Sequence, residues 1–500
     1  MLRRLLIANR GEIARRINRV AQDMGLETVA VYSDADAGLP HVREASQAVR
    51  LGPAPARDSY LNVEALLAAA RQSGADGVHP GYGFVSESAE FARACAGAGL
   101  TFVGPPPEAM VRMKDKSRAR ALAGEAGVPL VAGSAGVVAD AAAAAAEAER
   151  IGYPVLVKAA GGGGGIGMAV ASSPAELEKA FRQSSDRARS AFGREGVYLE
   201  SYFPAPRHVE LQILGDLQGH RIHALERECS IQRRHQKVVE ECPSPVVDAA
   251  LRSRLLETAM AAARAVSYTS CGTVEFLLGP DGSFYFLEMN TRLQVEHPVT
   301  EEVWGVDLAA AMIRIALGEP LPFSSESLSP RGHAIECRIY AEDPLRGFAP
   351  SPGVVTALRL PQGPGVRHDV GIEAGSVVPI DYDPMLGKLV VHAADRAAAI
   401  ARLARALADY EVAGVETTLP LFRALAVDSE FRAAAFDVQW LDRRLESGWL
   451  ARDPETADDL LLAAVGLAEA EAVARSPDSA DATRSLWGSA ARREALRGGY

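Results

Sequence analysis

The sequence predicts a mixed α/β and α+β protein of about three domains, with an open parallel sheet at its N-terminal end. Three observations predict it. Strand-like and helix-like runs alternate over roughly the first 110 residues. Two apolar, aromatic-rich runs flank a turn between Thr273 and Asn290, and strand-like alternation resumes at Gly332 beyond a loop rich in serine and proline. Five hundred residues exceed one compact core, and a hydrophobic content of 48% supports several.

Bulk charge and cysteine usage exclude several function classes. A formal net charge of −11 argues against nucleic acid or an anionic membrane as the main partner, while leaving room for a local basic pocket. Cys95, Cys229, Cys242, Cys271 and Cys337 are odd in number and form no CxxC pair, so neither a disulfide framework nor a zinc site is expected. A reducing cytoplasm fits that pattern. The first ten residues hold too short an apolar core for a secretory signal, and no later stretch reaches the length of a membrane span, so a soluble protein is expected.

The N-terminal rhythm begins with a buried-type strand at Leu5–Ala8, a turn at Asn9-Arg-Gly11, a helix from Glu12 to Met24 and a strand at Thr28–Tyr32. Gly77–Gly83 and Leu100–Gly104 read as strand ends running into glycine turns. Ligands gather at the carboxyl ends of such a sheet. The first strand is not followed by GxGxxG, which weighs against a dinucleotide oxidoreductase.

Pro105-Pro-Pro107 marks a boundary, and Lys114-Asp-Lys116 opens another helical stretch. The alanines at 141–146, behind Asp140, predict a capped helix of high intrinsic propensity. Tyr153–Lys158 is a strand ending on lysine, and the glycine-rich run Gly161–Met168 follows it. Glycines so placed leave backbone N–H groups free to close over an anion, although the spacing is neither Walker A nor Rossmann. Tyr198–Tyr202 and His208–Leu214 read as strands, with His208 and Glu210 on one face, as are Gln232 and Arg234 further on. Arg233, Arg234, His235 and Lys237 concentrate basic charge in a short span of an acidic chain, which suggests an anion site.

Gly279-Pro-Asp-Gly282 supplies turn geometry for a β-hairpin. Pairing its arms about a tight turn sets Glu275 opposite Phe286, with Glu288 as diagonal neighbour on the same face. Two carboxylates so placed suit Mg²⁺ or Mn²⁺ with bound phosphates. Beyond the hairpin, Glu288, Asn290, Arg292, Gln294 and Glu296 alternate with less polar residues and would line one side of an extended chain. Pro298 is expected to block helix at His297, and Asp307 to cap an apolar helix ending before Gly318. The third unit runs from Gly332 to about Leu445, with strands near Val354–Leu360 and Gly387–Val391 and a helix over Arg396–Asp409. An Ala/Leu/Glu-rich helix and a polar tail complete the chain.

Five stretches carry a family resemblance: Ile7–Ala14, His79–Glu87, the glycine loop, Glu228–Glu240 and Glu288–Glu301. In this order they resemble a biotin carboxylase of the ATP-grasp superfamily over about Met1 to Leu445. The resemblance implies an ATP-grasp fold with an N-terminal parallel-sheet domain (1–113), a central ATP-grasp domain (114–325) whose lid spans about 131–203, a C-terminal biotin carboxylase domain (326–446) and a helical extension or linker (447–500). It implies ATP bound by Lys116, Lys158, Gly163, Gly164, Gly165, Gly167, Met168, Glu200, Phe203, His208, Gln232, His235 and Leu277. Glu275, Glu288 and Asn290 would hold Mg²⁺ or Mn²⁺. Bicarbonate would bind at Arg292, Gln294, Val295 and Lys237, with Glu296 as general base. Arg338 would stabilise the biotin enolate, and Tyr82 would lie beside the biotin ring.

Partners implied by the resemblance are a biotin carboxyl carrier domain and a carboxyltransferase subunit, with a homodimer inside a larger complex. The chain contains no Ala-Met-Lys-Met attachment sequence, so biotin is expected as a carrier-bound substrate. The tail around Leu486-Trp487-Gly488 resembles the beginning of the linker that follows this module in longer acyl-CoA carboxylase α-subunits. Ile166, Ala169 and Ser201 stand where many relatives carry basic residues, which would weaken the lid's clamp on phosphate. The carboxylate pair and glycine loop alone would also serve another ATP-grasp ligase joining a carboxylate to an amine, or a non-catalytic nucleotide-binding subunit.

Overall fold

The computed structural model describes residues 2–114, 116–134, 136–159, 168–192, 197–324 and 329–450. Those within Met1–Ser447 form one compact unit. Five parallel strands open it, in the spatial order Gln47–Gly52, Glu27–Ser33, Arg4–Ile7, Gly77–His79, Thr101–Phe102. The helix Gly11–Asp23 buries Ile13, Ala14, Ile17, Val20 and Ala21 along one face, as its spacing of apolar residues requires. At the carboxyl end of the sheet, Asn9 Nδ2 donates to the carbonyls of Pro80 and Tyr82, both at 2.7 Å. Gly81 sits there at φ +63°, and an added Cβ would meet that amide at 2.9 Å, so the tight turn admits no side chain.

A small antiparallel sheet follows, with Val155–Ala159 between Met168–Ala171 and Val197–Ser201. The alanine-rich helix Ala141–Ile151, capped by Asp140 on Ala143 N at 2.8 Å, and the helix Pro174–Phe192 cover it. Val155, Val157, Leu177, Ala180, Val197 and Leu199 give this element a core of its own.

The central sheet has eight antiparallel strands in the order Phe284–Asn290, Ser270–Leu278, Arg207–Gly215, Arg221–Arg233, Gln236–Cys242, His333–Tyr340, Met385–Ala393, Val366–Val370. The long strands of the third unit therefore extend the central sheet, since His333–Tyr340 pairs with Gln236–Cys242, and its short strands form separate two-stranded pairs. The helix expected over Arg396–Asp409 has those bounds, whereas the strand expected near Val354–Leu360 is two short pieces, Gly353–Val354 and Ala357–Arg359.

Two local expectations are corrected. The hairpin closes on a three-residue loop, with Gly279 N donating to Ser283 O at 2.8 Å and Gly282 at φ +78°. That places Phe276 opposite Phe286, and a bulge at Leu287 then brings Glu288 directly opposite Glu275. The run beyond Asn290 is also not a continuing strand. Helix begins at His297, with Pro298 in the first turn, where a missing N–H costs nothing. Asp307 caps Leu308–Ala316 as expected, accepting from Ala310 N at 2.7 Å. Among the described residues no helix is long and apolar enough to cross a membrane.

Candidate active site

The small sheet and the edge of the central sheet enclose a cavity of about 1790 Å³. On the small-sheet side it is lined by Lys158, Met168 and Glu200, with Lys158 and Glu200 ion-paired and Arg120 Nη1 3.2 Å from the second Glu200 oxygen. Ala169 and Ser201 line it too. Phe203 meets Tyr285 edge-on with ring centroids 5.2 Å apart, and Leu277 adds an apolar wall. Lys116 begins the helix Lys116–Glu125, but its side chain lies outside the described residues, as do Gly163, Gly164, Gly165, Ile166 and Gly167.

On the central sheet, Arg207–Gly215 delivers His208, and its neighbours deliver Gln232, Lys237, Glu275 and Glu288 to the same cavity. Gln232 Nε2 and His208 Nδ1 are 3.1 Å apart. Arg234 and His235 form the tip between Arg221–Arg233 and Gln236–Cys242, both at positive φ, so Arg234 leaves the face on which alternation had placed it. His235 remains on the cavity lining.

Lys237 organises the polar end. Its Nζ lies 2.5 Å from Glu210, 2.9 Å from Glu275 and 2.7 Å from Glu296. Burial opposes its charge, but these three carboxylates outweigh burial and hold its pKa far above the usual lysine value. Glu275 also accepts from Asn290 at 2.7 Å and Gln294 at 3.1 Å, and faces His208 Nε2 at 3.2 Å. Burial would raise its pKa, yet Lys237 and His208 bring it down to about 2. In turn His208, against its own burial, is raised to about 9 by Glu275.

Glu296 is 0% exposed and is held at both oxygens, by Lys237 on Oε1 and by Arg338 Nη2 on Oε2 at 2.9 Å. Arg338 also donates through Nε to Glu240 at 2.7 Å. Arg292 Nη1 donates to Gln294 Oε1 at 2.6 Å, so these two side chains are set as one unit beside Glu296. Tyr82 is not on the cavity lining; it bonds Glu12, and its ring lies 5.8 Å from Lys388 Nζ.

Two residues behind this surface, Arg227 and Lys388, carry no mark in the sequence. Arg227, fully buried, donates to Glu210 at 2.5 Å and to Gln212, Thr300 and Thr273. It balances the charge of Glu210, which in turn locates Lys237. Lys388, also buried, donates to the carbonyl of Val295 at 2.8 Å and so fixes the loop carrying Gln294 and Glu296. Glu210 was visible by its parity with His208, but nothing in the local sequence of Arg227 or Lys388 marks them.

The donors suit a hard divalent cation. Glu275 and Glu288 oppose each other across the ladder, and Asn290 follows on the same strand. His208, Glu210 and Glu275 also bring ligand atoms within 4.8 Å of one another, but the Lys237 ammonium already bonds two of them, Glu210 and Glu275.

A small antiparallel sheet facing a carboxylate-bearing sheet across a lysine-lined cavity defines an enzyme of the ATP-grasp type. Family models match in three consecutive pieces: biotin carboxylase N-terminal domain at residues 1–110, the ATP-binding domain of carbamoyl-phosphate synthase L chain at 115–324, and biotin carboxylase C-terminal domain at 336–443. A biotin carboxylase of Halalkalibacterium halodurans is 48% identical over 446 residues, 89% of this chain and 98% of that one. The mitochondrial methylcrotonoyl-CoA carboxylase subunit alpha of rice is 48% identical over 442 residues, 88% of this chain but 60% of its own length. The biotin carboxylase domain dimer of Hydrogenobacter thermophilus 2-oxoglutarate carboxylase, solved with MgADP, ADP and bicarbonate, superposes with a TM-score of 0.84 at 42% identity, covering 89% of this chain and 98% of that one. The chain belongs to the biotin carboxylase family. It is an ATP-dependent ligase that carboxylates biotin, forming a C–N bond.

Proposed function

We propose that the chain carries the carboxyl group of bicarbonate to N1′ of a carrier-bound biotin through carboxyphosphate, as the first half-reaction of an acyl-CoA carboxylase. The observation that carries this reading is Glu296, buried and held between the cations Lys237 and Arg338. A carboxylate so fixed stays aimed at one point beside Arg292 and Gln294, where bicarbonate would bind together with the Val295 backbone. Glu296 takes the bicarbonate proton, and the resulting oxyanion attacks the γ-phosphorus, breaking its bond to the β-phosphate so that ADP leaves.

ATP would lie along the cavity, with adenine near Glu200, Phe203 and Leu277, and ribose and phosphates near His208, Gln232 and His235. Lys116, Lys158 and the backbone of Gly163, Gly164, Gly165, Gly167 and Met168 would meet the phosphates as a lid over about 131–203 closes. Glu275, Glu288 and Asn290 would hold Mg²⁺ or Mn²⁺, which neutralises charge on the phosphates. Carboxyphosphate then yields CO₂ and phosphate, and the phosphate removes the N1′ proton. Arg338, permanently charged and with paired donors, stabilises the enolate oxygen. Tyr82 would stand beside the biotin ring.

The partners in this reading are a biotin carboxyl carrier domain, a carboxyltransferase subunit and a second copy of the chain. Five buried, unpaired cysteines support a cytoplasmic setting. The test is ADP release from ATP and Mg²⁺ with bicarbonate and free biotin each added or omitted. Release that needs bicarbonate and rises with biotin supports the reading; release indifferent to both overturns it.

A further inference from the structure

The sheet face beneath Glu296 carries a carboxyl group that the proposed reaction does not use. Glu336 lies in His333–Tyr340, directly opposite Glu240 of Gln236–Cys242 and two residues from Arg338. Directly opposed residues of an antiparallel ladder share a face, with Cβ atoms about 4.5–5.5 Å apart. Glu240 and Glu336 are both 0% exposed. Neither oxygen of Glu336 has a hydrogen-bond partner, and neither does Oε2 of Glu240, whose Oε1 takes Arg338.

Other charged groups face the pair, Glu296 among them, but none bonds Glu336 or Oε2 of Glu240. Lys388, opposite Arg338 on Met385–Ala393, donates to Val295 O and pairs with Glu12 at 3.2 Å. Arg338, on the same strand as Glu336, serves Glu240 and Glu296, and Lys237 serves Glu210, Glu275 and Glu296. The helix His297–Trp304, which packs on this strand, brings His297, whose pKa burial holds well below the usual histidine value. Two buried, adjacent carboxylates with three unpartnered oxygens cannot both be ionised at moderate cost, and one retained proton would join them. Burial pushes Glu240 up to about 7 against the pull of Arg338, and pushes Glu336 further against the pull of Lys388.

We infer that Glu240 and Glu336 share one proton, and that Glu336 is a positioning residue for biotin carboxylation, acting on Arg338 through Glu240. With the proton in place, Glu336 donates to Oε2 of Glu240, and Oε1 of Glu240 holds both Nε and Nη2 of Arg338, which keeps Nη2 within reach of Glu296. When the proton leaves, a second negative charge beside Arg338 draws the guanidinium toward the pair. ATP cleavage then continues without matching carboxylation. The inference rests on the role proposed for Arg338.

The experiment is the ratio of carboxybiotin to ADP formed by the full chain with free biotin, from neutral to alkaline pH, for the wild type, Glu336→Gln and Glu336→Leu. Glutamine keeps the donor and cannot ionise, so E336Q should move the alkaline fall of this ratio upward by about one pH unit or more. Leucine removes the donor, so E336L should lower the ratio about tenfold at every pH, a loss of the size that follows removal of one charge-assisted hydrogen bond. An alkaline fall common to wild type and E336Q overturns the inference, even where E336L does not fold. Arg338→Ala, run alongside, separates the outcomes: coupling that survives in R338A defeats the role of Arg338 itself, whereas coupling lost in R338A with an unmoved E336Q profile defeats only the shared proton.

Discussion

Arg227 and Glu210 meet at 2.5 Å behind the cavity, and neither side chain reaches solvent. The other Glu210 oxygen takes Lys237, also at 2.5 Å, so a fully buried pair sets the position of the ammonium that holds Glu275 and Glu296. Replacing Arg227 with leucine leaves Glu210 buried with one cation fewer. Urea denaturation of R227L should show a loss of about 3–5 kcal/mol. A loss below about 1 kcal/mol, the size typical of a surface pair, would show that solvent or another group compensates.

Gly282 closes the three-residue hairpin loop at φ +78°. An alanine there must adopt a left-handed conformation, at a cost of about 1–2 kcal/mol. Because the residue lies at the hairpin tip, Gly282→Ala should lower the melting temperature while the folded fraction still binds ATP. Unaltered stability would place the strain elsewhere in the loop.

His41 is buried with neither ring nitrogen hydrogen-bonded, and burial lowers its pKa to about 4. A histidine depressed in the folded state contributes stability that is fully present above its unfolded value of about 6.5 and is lost as pH falls toward the folded value. The shift corresponds to about 3 kcal/mol at most. His41→Leu, which removes no hydrogen bond, should retain most of the neutral-pH stability and flatten the decline below about pH 6.5. An unchanged acid profile would assign that decline to other groups.

Arg338 touches both Glu240 and Glu296, so it stands against the proposed base. Arg338→Ala should uncouple the reaction, with bicarbonate-dependent ADP release persisting while carboxybiotin falls by about 100-fold or more, the scale of removing one preorganised donor. Full coupling in R338A would remove its assigned role.

Much of this site was legible from local chemistry. Gly279-Pro-Asp-Gly282 announced the hairpin, and the alternation from Glu288 to Glu296 named five side chains that do line the cavity even though strand ends at Asn290. The register was not legible, because a two-residue and a three-residue turn fit the same letters and the bulge at Leu287 leaves no composition signal. Arg227 and Lys388 were hidden for another reason. Each reads as an ordinary strand residue: Arg227 meets Glu210 directly across the neighbouring strand Arg207–Gly215, a register the letters do not give, and the Val295 carbonyl that takes Lys388 lies far away in sequence. The same long-range pairing, His333–Tyr340 on Gln236–Cys242, joins the third unit to the central sheet.

Glu296, set between Lys237 and Arg338, is the proposed base that activates bicarbonate. The most direct measurement pairs ATP binding with bicarbonate-dependent ADP release in Glu296→Ala. ATP should still bind, and release should fall by at least about 100-fold, the lower range for loss of a general base. ADP release at the wild-type rate, in protein shown to bind ATP, would contradict it.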